Sequence, residues 1–271
     1  IGPFWTTLDL APWRDWLHQR AATGALTLGG LDDQPGATSN LTRRMLPALL
    51  SVAGPAGERV ACERSVSAHL QWSYTPAAPF DSTEKQRLHH YARVAHAALT
   101  QAHAVAMARA FDAYTARTAG LPDAIPRDRS MHDALAWHLG RLPRDARVVV
   151  WTATVHAARL RGGRDDVPLG EWIAREHGAR AFSIGFTALG GTSSMAGAEP
   201  RTLETAPADS LETRALGDGV EAAYLDGKTL SALDHAPSRL YGAFARHPWS
   251  RHFDAVLVFR EERAPRFVER R

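Results

Sequence analysis

Thirteen histidines are the first chemistry the sequence offers. His89, His96 and His103 recur every seven residues within a long helical pattern. Seven residues make two turns, so neighbours stand about 10.5 Å apart along the axis. The ligands of one metal must all lie about 2 Å from it. These three therefore cannot share an ion, and a polar or half-buried helix face is the simpler reading. No His-Glu-x-x-His motif, P-loop or Gly-x-Ser-x-Gly elbow occurs. Gly29-Gly30 lacks the other glycines of a dinucleotide fingerprint. Gly191-Thr192-Ser193-Ser194 follows a predicted strand and could offer a hydroxyl, yet its composition is that of a flexible loop. Cys62, the only cysteine, has no signature around it and reads as an inert thiol.

Three places lie at or near the carboxyl ends of predicted strands, where open α/β sheets bind ligands. Asp32 and Gln34 follow the first strand. His156 follows the strand that ends at Trp151. Arg127-Asp128 heads the helix leading into that strand. Asp128 also fits a helix cap. An imidazole beyond a strand can act as general base or orienting donor near neutral pH, or can be a hydrogen-bonded structural histidine.

The elements that would position these groups follow from periodicity and punctuation. Helices are predicted over Asp9 to Arg20 and Leu41 to Val52. Asp81-Ser82-Thr83-Glu84 is a capping-box signature that opens a helical pattern running to about Arg117. Some 35 residues would span roughly 50 Å, so a break or a helical hairpin forming its own subdomain is expected. Further helices are predicted over Asp128 to Leu139, Leu169 to His177, Leu211 to Leu216 and Leu230 to Ala245. Strands are predicted at Ala25 to Gly30, Arg147 to Trp151, Ala181 to Thr187, Ala222 to Leu225 and Phe253 to Phe259. The apolar run Val148-Val149-Val150 reads as a strand buried on both faces, and Gly191 to Asp209 reads as a long loop. This alternation predicts an α/β fold with a largely parallel sheet flanked by helices. The division is 1–80 as the first part of the core, 81–122 as a helical insertion and 123–271 as the second part.

Composition bounds the rest. The 271 residues, 45% hydrophobic and 23% charged, suit a globular chain. No apolar run reaches the ~18 residues of a membrane span, so no membrane partner is expected. A single cysteine allows neither an intrachain disulfide nor a cysteine zinc cluster. The net charge of +3 comes from scattered arginines, not a basic patch, which excludes nucleic acid as the expected partner. The first residue is Ile1, so the chain reads as processed or as a piece of something longer. The compartment is left open, with a lean to the cytoplasm.

The segments in order resemble the erythromycin esterase family. Arg127-Asp128-Arg129-Ser130-Met131 matches its Arg-Asp-x-x-Met helix start. Arg147 to Trp151 with His156 is similar to its strand ending Trp-Ala-His-Asn-x-His. Gly30-Leu31-Asp32-Asp33-Gln34 matches its Gly-(Phe/Leu)-Asp-x-Gln loop, and Ile184-Gly185-Phe186-Thr187 its Ile-Gly-Phe-Thr strand. Trp249 before Phe253-Asp254-Ala255 completes the series. The resemblance implies an α/β core with an inserted helical hairpin. It also implies hydrolysis of a small-molecule ester or macrolactone, such as a macrolide, by general-base activation of water and without a cofactor. His156, Arg127 and Asp128 would carry the catalysis, and Asp32, Gln34 and Trp151 would bind substrate.

The chain departs from the family pattern at several points. The first histidine of the Trp-Ala-His-Asn-x-His stretch falls on Ala153 and the asparagine on Thr154. The asparagine after the Arg-Asp-x-x-Met turn falls on Ala134. The motif Gly-Glu-x-x-His-Gly, upstream of the region matching Ile1 onward, is absent. The chain thus resembles a member without its amino-terminal segment. The alternative function is a non-catalytic relative that keeps the pocket as a small-molecule binding or interaction module.

Overall fold

The computed structural model describes residues 7–34, 40–163, 165–194 and 199–267. The chain divides into two units, Ile1–Arg141 with Phe267–Arg271, and Leu142–Arg266.

The first unit is helical: α1 (Ala11–Ala22), α2 (Asn40–Val52), α3 (Ala56–Gln71), α4 (Ser82–Ala98), α5 (Ala102–Thr118) and α6 (Arg127–Leu139). The expected break in the long pattern is real. Leu99 leaves the helix in an extended conformation, and α5 returns antiparallel to α4, with His96 beside Asp112 and His89 beside Thr115. Asp81 caps α4, accepting from the Glu84 amide at 2.9 Å. The other half of the box does not form, because the Glu84 carboxylate accepts from the Ser65 hydroxyl and Arg87. Met45 and Leu49 of α2, Cys62 and Val66 of α3, Leu88 and Ala95 of α4 and Phe111 of α5 build one apolar core. Helix α3 was not foreseen. Its buried positions are 62, 65, 66, 69 and 70, which is helical spacing, but Ser65 and His69 break the apolar signal. His69 satisfies both ring nitrogens on Tyr74 and Tyr114 hydroxyls.

The second unit holds α7 (Thr154–Ala157), α8 (Leu169–His177), β1 (Ile184–Ser193), β2 (Arg201–Thr202), α9 (Leu211–Ala215), β3 (Ala222–Asp226), α10 (Gly227–Ser231), β4 (Pro237–Ser238), β5 (Ala245–Arg246), α11 (Trp249–His252) and β6 (Ala255–Glu262). Its main sheet has the order β2-β1-β6-β3. It is mixed, not largely parallel: β1 and β6 run parallel from Ile184↔Ala255, while β3 pairs antiparallel with β6 and β2 with β1. Val256, Val258 and Leu225 face a core completed by Leu211, Leu230, Trp249 and Phe253. The other face carries Phe186, Tyr224 and Phe259, which are 50%, 57% and 39% exposed. Phe186 and Phe259 lie stacked there, 6.4 Å apart. Gly191, at φ +112°, permits the close approach of β1 to β6, since a Cβ there would fall 2.0 Å from the Glu262 carbonyl oxygen.

Several expectations are corrected. Ala25 to Gly30 and Arg147 to Trp151 form no ladder among the described residues. Val149 is 89% exposed, not buried on both faces. Leu230 to Ala245 is not a helix: α10 stops at Ser231, and the β4–β5 pair follows. The expected loop from Gly191 begins as the end of β1, paired with β2. Among the described residues no helix is long and apolar enough to cross a membrane.

Candidate functional site

In the first unit the structure brings together Asp32, Gln34 and Arg127. Asp32 lies in a segment without regular secondary structure, near which His138 Nε2 stands 3.0 Å from the Gly30 carbonyl oxygen. Asp32 is exposed, whereas Asp33 beside it is buried. Arg127 donates from Nε to Asp32 Oδ1 at 3.0 Å and from Nη2 to Asp32 Oδ2 at 2.5 Å. This two-point fork is the geometry that distinguishes arginine from lysine. It raises the Arg127 proton affinity further, with burial opposing. Asp32 Oδ1 also accepts from the Gln34 amide at 3.2 Å, so the Gln34 backbone closes a turn on the same carboxylate.

Arg127 opens α6 directly after Pro126, a residue suited to a helix start by its fixed φ. Asp128 follows in the first turn and is buried. It is not the cap residue, since the N-cap position is Pro126.

A second pair beside the fork escaped the sequence reading. Arg117 Nη2 donates to Asp33 Oδ1 at 2.5 Å, and Arg117 Nη1 to the Ile125 carbonyl at 3.1 Å. Asp33 Oδ2 is buried without a hydrogen bond. The doublet Asp32-Asp33 was the available signal, since two adjacent acids can differ in burial.

His156 and Trp151 belong to the second unit. Trp151 lies outside regular secondary structure and is 61% exposed. Ala153 is the N-cap of α7 and supplies no side-chain cap. His156 sits in the single turn of α7, half-buried, its amide donating to the Ala153 carbonyl at 2.9 Å. Thr154 Oγ1 accepts from the Phe186 amide at 3.1 Å and lies 3.2 Å from the Phe186 carbonyl oxygen. The hydroxyl thus ties α7 to β1.

The same unit buries a carboxylate that the sequence did not single out. Glu212 is fully buried, and its Oε1 accepts from Thr187 Oγ1 at 2.7 Å, Ser238 Oγ at 2.7 Å and the Arg239 amide at 3.0 Å. Three donors converge on Oε1, while Oε2 is buried without a hydrogen bond. Here they join β1, α9 and β4. In the same unit Asp254 receives Arg159 on one oxygen and the Ser183 amide, at 2.7 Å, on the other.

The remaining candidates have structural places. Ser193 lies in the β1–β2 pair, and Thr192 Oγ1 accepts from the Ala264 amide at 3.1 Å. His103 meets Trp137 edge-on at 5.5 Å. No group of histidine, cysteine, aspartate or glutamate among the described residues is arranged to hold a metal ion.

Comparison with known proteins gives the geometry a context. The chain resembles a solved succinoglycan biosynthesis protein at 13% identity, with a TM-score of 0.62, over 98% of this chain and 73% of that one. At this identity the likeness speaks for the fold alone. No curated protein matches the chain. A family model described as erythromycin esterase matches residues 4–262, which span the Asp32–Arg127 fork, Trp151, His156 and the whole mixed sheet. The chain belongs to the erythromycin esterase family.

Proposed function

We propose that the chain is a hydrolase that opens a small-molecule ester or macrolactone by general-base activation of water. His156 is the base: an imidazole titrates near neutrality and can take the proton of an attacking water. In the first unit Arg127 and Asp128 are proposed as catalytic residues and Asp32 and Gln34 as substrate residues; in the second unit Trp151 is proposed as a substrate residue. Arg127 commits Nε and Nη2 to Asp32, leaving Nη1 to address a carbonyl or carboxylate oxygen. The observation that carries the proposal is the family match over residues 4–262, with the two-point Asp32–Arg127 fork standing on two of the family's motifs.

A second reading, a binding module without turnover, draws support from α7. The Ala153 methyl cannot move a proton, and the Thr154 hydroxyl is engaged by the Phe186 backbone.

Turnover of a panel of aryl esters and macrolactones, followed with His156→Ala beside the wild type, separates the two. The hydrolase loses about 10²-fold or more in the variant at an unchanged melting temperature. A wild type that hydrolyses nothing, yet melts higher with a lactone present, sinks the hydrolase and leaves the binding module.

A further inference from the structure

His89 and His96 cannot share a metal, but they do share a carboxylate. Asp112 of α5 reaches between them, with Oδ2 2.9 Å from His96 Nδ1 and Oδ1 3.4 Å from His89 Nδ1. The surroundings fix both tautomers. Thr115 Oγ1 donates to the Phe111 or Asp112 carbonyl, so towards His89 Nδ1, 3.2 Å away, it can only accept. An ionised Asp112 is likewise acceptor-only. Both Nδ1 atoms therefore carry hydrogen, and Nε2 is the nitrogen left to each ring.

These two rings line an open hollow of about 670 Å³ together with His90, Arg93, Val94 and Ala97. Arg93 follows His89 by four residues and precedes His96 by three, so all three share one face of α4. The Arg93 guanidinium makes no ion pair or hydrogen bond among the described residues. The charged groups bearing on the His89 ring are Asp112 from α5 and Arg93 and His90 from α4. Once the imidazoles take up protons, the hollow gathers four cations around one carboxylate. Asp112 then faces two imidazolium rings, and each Nε2 becomes an N–H donor on the same helix as an unpaired guanidinium. That set is complementary to a compact oxyanion, which accepts several charge-assisted hydrogen bonds at once.

We propose that this hollow binds a phosphate group, free or carried as a monoester, and that protonation of His89 and His96 switches the binding on. Val94 and Ala97 give the carrier of a monoester an apolar wall. The inference is independent of the ester chemistry proposed above and uses none of its residues. Burial places His89 below the ordinary imidazole range, with Asp112 opposing. The His89 part of the strengthening therefore appears only below the ordinary imidazole range and fades as pH rises.

The test is NMR of the histidine ring signals during titration of the full chain with inorganic phosphate. Chloride holds the ionic strength constant, at about pH 5.5 and about pH 8. His89→Gln and His96→Gln assign the two signals. At the lower pH, His89 and His96 should shift saturably while exposed His18 on α1 stays still. Roughly tenfold weaker binding is expected at the higher pH. Arg93→Gln should weaken binding roughly tenfold at the lower pH, the loss of one charge-assisted contact, with unchanged helicity. Tighter binding of phenyl phosphate would identify a carried phosphate, and equal binding a free one. A linear response, a shift shared by His18, or full affinity in Arg93→Gln would overturn the proposal.

Discussion

Arg127 grips both carboxylate oxygens of Asp32 across 95 residues of chain. One residue on, Arg117 holds Asp33 across 84. The two pairs differ in burial. Arg127 and Asp32 side chains are 36% and 43% exposed, whereas the Asp33 side chain is not exposed at all and Arg117 is 20% exposed.

Exposure decides what each pair contributes to stability. Arg127→Met should cost about 1 kcal/mol or less, because solvent screens the fork. Arg117→Met should cost about 3–5 kcal/mol, since it strands a buried carboxylate. Urea unfolding of the two variants checks the order, and equal losses would contradict it.

Glu212→Leu should destabilise the second unit more than Glu212→Gln. The leucine leaves the Thr187, Ser238 and Arg239 donors without their acceptor, at about 1–3 kcal/mol for each buried group. The glutamine keeps a carbonyl oxygen in place. Thermal unfolding followed by near-ultraviolet circular dichroism reads the difference.

Acid should weaken the fold through His252. Burial, with help from His247 and Arg251, pushes this imidazole down to about 4. In the unfolded chain it titrates near 6.5. Between those values the unfolded state binds the extra proton, so stability falls as pH drops from about 6.5 to about 4. The slope is at most about 1.4 kcal/mol per pH unit. In His252→Gln this part of the slope should vanish. A slope identical to wild type would mean that the ring titrates normally.

Val149→Asp should change stability by no more than about 0.5 kcal/mol, as expected at an exposed position. Val256→Ala should cost about 2 kcal/mol for two buried methylene equivalents and the space they leave. Matched urea midpoints would show instead that the Val148–Val150 run is packed.

The sequence exposed those features whose causes are local. The Asp81 cap, α6 and α8 follow from neighbours a turn away, β3 and β6 from short apolar runs, and a break in the long helical pattern from its length, though not its place at Leu99. Segments 25–30 and 147–151 read as strands because apolar alternation and runs report β-propensity. A ladder also needs a partner edge, and no local pattern encodes one. Helix α3 went unread because its inward stripe spends positions on Ser65 and His69, whose partners Glu84, Tyr74 and Tyr114 sit elsewhere in the chain. In the candidate site, Asp32 and Arg127 were readable singly. Their pairing, the Asp33–Arg117 pair, Glu212 and the Asp112 bridge were not, because each joins residues far apart in sequence.

Cys62 lies in the centre of the helical core with no exposure, and burial raises its thiol to about 11. A thiol reagent can reach it only when α3 parts from its neighbours and the group regains a thiolate. As the only sulfhydryl in the chain, it is a native clock for the breathing of one helical core. Its labelling rate, read without any engineered probe, counts how often that core opens.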